Sequence, residues 1–186
     1  MESIVNTLLR GGTLLYPTDT IWGIGCDATN PSAIEKLYQI KQRDRSKSML
    51  ILVENEIMLR RFIPTPSDEA LELLLNSDRP TTVIFPADPT RLPSNLLAAD
   101  STIGIRVPRH AFCQKLLKDF GRPIVSTSAN LSGHPSPSCF NDIDEALISQ
   151  VDTIVDPKKF NIQEEAVAPS RIIKVTPSGE TLILRP

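Results

Sequence analysis

The 186-residue sequence predicts an α/β protein whose twisted, open sheet mixes parallel and antiparallel strands and carries packed helices. Short apolar runs typical of strands alternate with stretches in which apolar residues recur at helical spacing. Strand-like segments outnumber helical ones, and the last two are separated only by a short turn-forming segment, which predicts an antiparallel hairpin. Such a mixture implies helices over a face of the sheet and polar loops at strand ends. The sequence shows no linker or internal repeat, so residues 1–186 are expected to form one domain.

The first 80 residues of the chain contain three predicted helices and two predicted strands. Asn30 and Ser67 are the predicted N-caps, and the glycine pair at 11–12 is the predicted stop of the first helix. The apolar run ending at Tyr16 is closed by Pro17, as expected of a strand that delivers the following residues to a loop at the sheet edge. The predicted helices cover residues 2–10, 31–41 and 68–75, and the predicted strands cover residues 13–16 and 48–53.

The rest of the chain, from residue 81 onward, adds mostly strands. One helix is predicted over residues 110–120, where Gly121 supplies a left-handed stop. Residues 177–180, Pro-Ser-Gly-Glu, are the expected turn of the C-terminal hairpin. The predicted strands cover residues 82–85, 102–107, 124–125, 153–155, 171–175 and 181–184.

Charge and composition exclude several classes of protein. The 20 basic residues are balanced by 22 acidic ones, so the net charge of −2 gives no global positive field that would draw the chain onto nucleic acid. The longest uninterrupted apolar run, residues 49–53, is far below the roughly 18 residues of a membrane span. The N-terminus lacks the basic lead of a signal peptide, and the cysteines include no Cys-x-x-Cys pair. We therefore expect a soluble, cytoplasmic protein without a metal site, in which any polyanion site is local.

A basic stretch from Lys41 to Lys47 is the first candidate for such a local site. It places cations at every second position, so an extended backbone would direct four of them to one side. The alternative is a solvated helix end, because cations suit the C-terminus of a helix. The spacing of the cations alone favours the solvated helix end. The position of the stretch between a helix and the strand at 48–53 favours the other interpretation, because it places the cations beside the sheet edge, where loops gather.

Two polar segments are the other candidates. Residues 126–133 carry five hydroxyl or amide side chains in eight positions, a density that suits a ligand site but also ordinary turn capping. Residues 17–25 combine two hydroxyls and a carboxylate with glycines that allow close backbone approach. Trp22 is suited either to stacking on a base or to anchoring the core, and the second role is the commoner one.

Several familiar catalytic constellations are absent from the sequence. It contains neither a Gly-x-x-x-x-Gly-Lys-Ser/Thr phosphate loop nor a Gly-x-Gly-x-x-Gly fingerprint. His110 and His134 have no metal-ligand partner at a useful spacing, and Cys26 has no nearby histidine or arginine to activate it. The sequence therefore disfavours a standard nucleotide-binding fold and a cysteine nucleophile.

Four motifs occur together in one order along the chain. They are Tyr16-Pro17-Thr18-Asp19-Thr20-x-x-Gly23-x-Gly25, Lys41-x-Arg43, Arg106-x-Pro108 and Ser128-Ala129-Asn130-x-Ser132-Gly133. In this combination the chain resembles, from about residue 9 onward, the YrdC family of threonylcarbamoyl-AMP synthases. The resemblance implies a twisted open α/β sheet around a basic cavity. It also implies a reaction in which L-threonine, bicarbonate or CO2, and ATP with Mg2+ give pyrophosphate and threonylcarbamoyl-AMP, which serves threonylcarbamoyladenosine modification of tRNA.

The same resemblance implies roles for individual residues. Lys41 and Arg43 would be the catalytic cations, holding phosphate oxygens while negative charge grows on the departing pyrophosphate. Thr20 and Arg106 would bind the amino acid, with Arg106 pairing its carboxylate. The residues expected to contact the nucleotide are Lys47, Thr102, Ser128, Asn130 and Ser170.

Departures from the family pattern leave alternatives open. Trp22 stands where the family usually has a tyrosine, and residues 78–82 replace the common Pro-Gly-Pro-x-Thr stretch. Residues 102–108 resemble the YciO branch, which implies as an alternative a module that binds tRNA, double-stranded RNA or nucleotide without synthase activity. A transferase domain that uses carbamoyl phosphate is a further alternative. For a synthase, proteins that transfer the threonylcarbamoyl group onward would be the expected partners.

Overall fold

The computed structural model describes residues 1–162, 168–176 and 180–186. Six α-helices lie within these residues, and two of the longer ones begin at the predicted side-chain caps. Asn30 Oδ1 accepts hydrogen bonds from the backbone N–H groups of Ser32 and Ala33, and Ser67 Oγ accepts one from that of Ala70. The helices are α1 (Glu2–Leu9), α2 (Pro31–Ile40), α3 (Glu56–Arg60), α4 (Asp68–Asn76), α5 (Ala111–Phe120) and α6 (Glu145–Ile148). No helix in these ranges is both long enough and apolar enough to cross a membrane.

The strands of the described residues form one sheet with mixed directions, which confirms the predicted fold class. They are β1 (Leu14–Tyr16), β2 (Gly23–Asp27), β3 (Leu50–Leu52), β4 (Thr81–Pro86), β5 (Thr102–Arg106), β6 (Ile124–Ser128), β7 (Thr153–Ile154), β8 (Arg171–Val175) and β9 (Thr181–Arg185). Their order across the sheet is β7-β1-β2-β6-β3-β5-β4-β8-β9. The pairs β1–β7, β3–β5 and β4–β8 are parallel, and the other neighbours are antiparallel.

The two faces of the sheet are covered by different helices. On one face, strand residues such as Val83, Ile105 and Val125 pack with buried side chains of α2, α3 and α4. On the other face, Leu52 and Ile124 pack with α1 and α5. Because side chains alternate along a strand, the positions two and four residues beyond Ile124 also lie on this second face. There the side chains are small and polar, and the surface they form is open.

Most predicted elements are observed with ends that differ by at most three residues, but three elements, α3, α6 and β2, were not predicted. Helix α3 is short, and β2 has the sequence Gly-Ile-Gly-Cys-Asp, whose glycines have low strand propensity. The fold requires glycine at position 25, because a Cβ there would lie 2.1 Å from the carbonyl oxygen of Val125 and 3.1 Å from Tyr16 Oη. The interpretation of residues 17–25 as loop throughout is therefore wrong for 23–25, and residues 126–128 also belong to a strand.

The basic stretch does not extend as one of its interpretations required. Lys41 is the C-cap of α2, Gln42 has a φ of 48°, and the N–H of Lys47 bonds the carbonyl of Asp44 at 3.0 Å in a turn. Lys41 is buried, Arg43 is half-buried, and the next two cations are exposed. The predicted row of four cations on one side is wrong, because the turn directs them differently. The solvated helix end is correct for the exposed cations and wrong for Lys41.

The C-terminal strands form the predicted antiparallel pair. Ile173 of β8 lies opposite Ile183 of β9, and the register shifts between Ile172 and Ile173. Residues 177–179 of the predicted turn lie outside the described residues. Strand β9 thereby becomes an edge of the sheet, and its last residue, Arg185, reaches the open part of the second face.

Candidate functional site

A cavity of about 230 Å³ occupies the open part of the second face of the sheet. Alternate residues of neighbouring strands form its floor, because side chains at i and i+2 share a face. The walls come from the 18–22 loop, residues 48–49 and positions 136 and 169. The floor residues are Thr82 and Ile84 of β4, Gly104 and Arg106 of β5, Ser126 and Ser128 of β6, and Ser170 and Ile172 at β8.

Three arginines supply the charge at this cavity. Arg43, Arg106 and Arg185 line it, and no carboxylate does so within the described ranges. The remaining polar lining consists largely of serine and threonine hydroxyls. A concentration of cations in a chain with a net charge of −2 is a local site for anions.

Arg106 is held in place by the loop that follows β1. Its Nη1 donates a hydrogen bond to Thr20 Oγ1 at 2.8 Å, and its Nη2 lies 3.5 Å from Asp19 Oδ1. Asp19 Oδ2 in turn accepts a hydrogen bond from the backbone N–H of Arg109 at 3.0 Å. Arg106 Nε is buried and has no hydrogen-bond partner among the described residues. The loop therefore fixes the guanidinium while leaving it a donor for a bound anion.

Arg43 is oriented by its own turn. Its Nε donates a hydrogen bond to the carbonyl of Lys47 at 2.8 Å, and its Nη2 donates one to the carbonyl of Ser48 at 2.9 Å. Desolvation lowers the pKa of Arg43, but a guanidinium stays protonated at neutral pH. Two of its five N–H donors are thus used to hold the group at the cavity wall, and the others remain for a ligand.

Arg185 brings a second guanidinium close to Arg106. Its Nε donates a hydrogen bond to the carbonyl of Ser170 at 2.8 Å, and its Nη2 donates one to Ser170 Oγ at 3.1 Å. Ser170 Oγ also lies 2.9 Å from Thr82 Oγ1. Burial, and then the charge of Arg106, lower the pKa of Arg185. Because like charges at one cavity repel each other, an anion bound between them is favoured.

The hydroxyls of β6 face the same cavity. Tyr16 Oη donates a hydrogen bond to Ser126 Oγ at 2.9 Å, so the serine hydroxyl is free to donate its own hydrogen. Burial raises the pKa of Tyr16, which keeps this phenol protonated. Ser128, two residues further along the strand, lines the same cavity as Arg43. This wall of the cavity therefore offers neutral donors next to a cation.

Lys41 contacts the backbone at the end of β6 and in the loop that follows it. Its Nζ donates hydrogen bonds to the carbonyls of Ser128 at 2.5 Å and Asn130 at 2.6 Å. Lys41 is only 1% exposed and is not among the cavity-lining residues. The structure thus brings the Lys-x-Arg and Ser-Ala-Asn segments together, with Arg43 at the cavity and Lys41 at the backbone of the loop.

Asn130 lines a recess that adjoins the cavity at Ser136. Its Nδ2 donates hydrogen bonds to the carbonyls of Leu131 at 3.0 Å and His134 at 2.7 Å. Its Oδ1 is buried and has no hydrogen-bond partner in the part of the chain that the structure describes. The amide therefore organises the loop after β6 and keeps an acceptor available.

Two predicted nucleotide contacts lie away from the cavity lining. The Lys47 side chain is exposed, while its carbonyl accepts the hydrogen bond from Arg43. Thr102 is at the far end of β5 from Arg106, and its Oγ1 donates a hydrogen bond to Asp100 Oδ1 at 2.6 Å. Contacts from these two residues stay predictions, and they require a ligand that extends past the cavity rim.

Comparison with known proteins assigns the family. A family model for Sua5, YciO and YrdC, described as "Telomere recombination", matches residues 6–186. The chain belongs to the Sua5/YciO/YrdC family. This result confirms the resemblance drawn from the four motifs.

Individual members of the Sua5/YciO/YrdC family match most of the chain. A Pseudoalteromonas translucida protein named threonylcarbamoyl-AMP synthase is 32% identical over 171 residues, which cover 90% of this chain and 91% of that protein. The structure of P. abyssi Sua5 complexed with L-threonine matches with a TM-score of 0.88 and 25% identity, and the match covers 99% of this chain. This chain spans about half of that protein, 53% of its length. The structure of E. coli YciO matches with a TM-score of 0.79 and 26% identity, covering 98% of this chain and 86% of that one.

Trp22 has the anchoring role considered for it, and stacking on a base stays a prediction. It is 4% exposed and packs against Phe140 with ring centroids 5.1 Å apart, which anchors the loop after β1. It also lines the cavity. In this member of the Sua5/YciO/YrdC family the larger ring therefore occupies the wall next to Thr20.

The structure adds cavity residues that sequence reasoning missed. Arg185 lies one residue beyond the predicted strand at 181–184 and is not among the predicted site residues, although a cation at the end of an apolar edge strand is a signal for a site. Ser136 follows Pro135 in an irregular segment with no periodic signal. Cys26, in contrast, is buried with the core, and burial raises the pKa of its thiol, which makes it a poor nucleophile.

Lys41 gives a testable dependence of stability on pH. Desolvation, and then the Arg43 guanidinium, lower the pKa of Lys41 from 10.5 to about 7. Between these values the unfolded chain binds more protons than the folded protein, so stability rises with pH. Relative to Lys41→Met, the wild-type protein is expected to gain about 2 kcal/mol in free energy of unfolding from pH 7 to pH 9. Urea unfolding of both proteins measures this, and a difference that does not change with pH means that Lys41 keeps its proton.

Proposed function

We propose that this chain is a threonylcarbamoyl-AMP synthase, a nucleotidyltransferase that uses L-threonine, bicarbonate or CO2, and ATP. The observation that carries the proposal is the cavity with three arginines, a hydroxyl-rich floor and no carboxylate within the described ranges. The threonine carboxylate, bicarbonate and the triphosphate are all anions that need such donors. The names of the P. translucida relative and the threonine complex of P. abyssi Sua5 support the same activity.

In this proposal Arg106 and Thr20 bind the amino acid. The Nε of Arg106 has no partner in the described protein, so it is the donor best placed for the threonine carboxylate. The Asp19 carboxylate holds the Arg106 guanidinium from the side of the loop. The arginine side chain therefore loses less conformational freedom when threonine binds. A fixed fork of this kind binds a planar carboxylate through two parallel bonds.

The nucleotide lies against the other two arginines. Arg43 and Arg185 contact phosphate oxygens, where the hydroxyl of Ser170 adds a neutral donor, and the hydroxyl of Ser128 bonds the nucleoside. Apolar side chains of the lining, among them Leu50, Ile84 and Ile172, offer a surface for the base. Asn130 Oδ1 lies in the adjoining recess and accepts a hydrogen bond from either substrate.

The cavity residues serve a reaction without a covalent enzyme intermediate. The threonine amine adds to the carbon of CO2 and loses a proton, which gives a carbamate. A carbamate oxygen then attacks the α-phosphorus, and the bond to the β-phosphate breaks so that pyrophosphate leaves with the electron pair. Fixed guanidinium groups stabilise the negative charge that grows on the phosphates during this step. The product is a mixed anhydride of a carbamate and AMP, activated for transfer by a partner protein to tRNA.

Mg2+ fits this scheme as part of the nucleotide substrate. The described residues contain no group of three or more His, Cys, Asp or Glu side chains that could hold a metal ion. The oxygen donors of the cavity lining are hydroxyls, and Mg2+ commonly keeps several waters and binds substrate phosphates. The ion would therefore arrive on ATP, with a hydroxyl such as that of Ser170 as its nearest protein oxygen.

The proposal is tested by the release of pyrophosphate from purified protein. With ATP, Mg2+, bicarbonate and L-threonine present, release is expected, and it should fall to background when threonine or bicarbonate is left out. Mass spectrometry of the same mixture should detect threonylcarbamoyl-AMP. Folded protein that releases no pyrophosphate in a threonine-dependent manner contradicts the proposal, and salt-sensitive binding of RNA by that protein would then support the binding-module alternative.

A further inference from the structure

Lys41 is connected to the loop after β6 by three hydrogen bonds. Its ammonium donates to the carbonyls of Ser128 and Asn130, and its own carbonyl accepts a hydrogen bond from the N–H of Ser132 at 3.0 Å. That carbonyl belongs to the C-terminal turn of α2, whose last acceptors lack partners within the helix. The three bonds therefore join the end of α2 to both ends of the 128–132 segment.

The alternative position for the ammonium, on a phosphate in the cavity, breaks this arrangement. It would leave the carbonyl of Asn130 without the donor that satisfies it here, in a part of the protein where Lys41 itself is almost fully buried. It would also remove one donor from the carbonyl of Ser128, which keeps a hydrogen bond from the N–H of Asn130 at 2.9 Å. A buried polar group without a partner is unfavourable. Arg43 already presents a permanent cation to the cavity, so the cavity has a phosphate ligand without Lys41.

The charge state of Lys41 favours the backbone contact as well. Burial and the neighbouring Arg43 lower its pKa to about 7, so the amine is partly neutral at physiological pH. A neutral amine keeps two N–H donors, which is enough for the two carbonyls. A phosphate contact, in contrast, depends on the positive charge.

We propose that Lys41 is a positioning residue, which holds the 128–132 loop so that Ser128 faces the cavity, and that it does not touch the nucleotide. This inference rests on the proposed function, because it concerns how the same site binds ATP. It differs from the role that the family resemblance implied for Lys41, and Arg43 keeps the phosphate contact.

Two variants with matched side chains test the assignment. Lys41→Met and Arg43→Met each remove one cation and keep an unbranched side chain. The affinities for ATP, adenosine and L-threonine are measured by titration, with adenosine in competition against ATP. We expect Lys41→Met to weaken the binding of ATP and of adenosine by the same factor of about 10, because one hydrogen bond to the nucleoside is misplaced. The affinity for threonine is expected to stay unchanged. We expect Arg43→Met to weaken ATP and leave adenosine unchanged.

Hydrogen exchange tests the loop without any ligand. In Lys41→Met the backbone amides of residues 129–132 are expected to exchange faster, because the hydrogen bonds of this loop are loosened, whereas in Arg43→Met their exchange stays at the wild-type rate. If Lys41→Met does not fold, Lys41→Gln takes its place, because the amide keeps a donor on a slightly shorter chain.

Each other outcome has a defined meaning. Loss of ATP affinity with unchanged adenosine affinity in Lys41→Met would place its ammonium on a phosphate and overturn the inference. Unchanged affinity for both ligands would overturn it too, since the loop would then not depend on Lys41. Wild-type protein that binds no ATP would defeat the proposed function instead, and the exchange measurement would still decide whether Lys41 holds the loop.

Discussion

Replacing Arg106 with alanine is expected to raise the KM for L-threonine by about 100-fold while changing the KM for ATP by less than about tenfold. The guanidinium is 3% exposed and is held by Thr20 and Asp19, so alanine removes a preorganised fork for the carboxylate. Two charge-assisted hydrogen bonds at about 1.5 kcal/mol each correspond to roughly two orders of magnitude in binding. Steady-state release of pyrophosphate at varied threonine and varied ATP separates the two effects.

Arg171→Ala is the matched control for this substitution. Arg171 lies on β8 between the cavity residues Ser170 and Ile172, and its Nη2 donates a hydrogen bond to Ser77 Oγ at 3.3 Å. Its loss should leave both KM values near those of the wild type. Equal losses for threonine and ATP in Arg106→Ala would show that Arg106 has a general structural role and does not bind the amino acid.

The substitution Arg43→Lys is expected to lower kcat on the order of 100-fold with little change in stability. The variant keeps a positive charge but loses the planar fork that bonds the carbonyls of Lys47 and Ser48 and directs the remaining donors into the cavity. Because the charge on the phosphates grows in the transition state, a misplaced cation reduces turnover more than substrate binding. The half-buried position predicts a change of less than about 1 kcal/mol in the free energy of unfolding.

Arg45→Lys serves as the control for the same turn. Arg45 is exposed and pairs with Glu35 at the protein surface, outside the cavity lining. Kinetics of both variants and urea unfolding at one pH make the comparison direct. Near-normal turnover of Arg43→Lys would remove Arg43 from the proposed phosphate contacts.

Local signals explain why the helices could be predicted well from the sequence. Asn30 with Pro31 marks the start of α2, and Gly121, whose φ is 72°, ends α5. Each signal lies within a few residues of the helix end that it marks, so it can be recognised in a single sequence. Strand β2 escaped prediction because Gly25 is required by the close approach of Val125, which is 100 residues away along the chain.

The sequence by itself determined the family, the fold class and the identity of several cavity residues, among them Thr20, Arg43 and Arg106, because motif order and apolar periodicity are properties of the chain. Only the tertiary structure decided which way each of these side chains faces. Lys41 and Ser128 are 87 residues apart, and their contact depends on how α2 packs on the sheet and where β6 ends. Arg185 joins Arg106 because β8 and β9 are added beside β4 and β5. Such contacts arise from packing and burial over long sequence separations, which no local pattern of residues encodes.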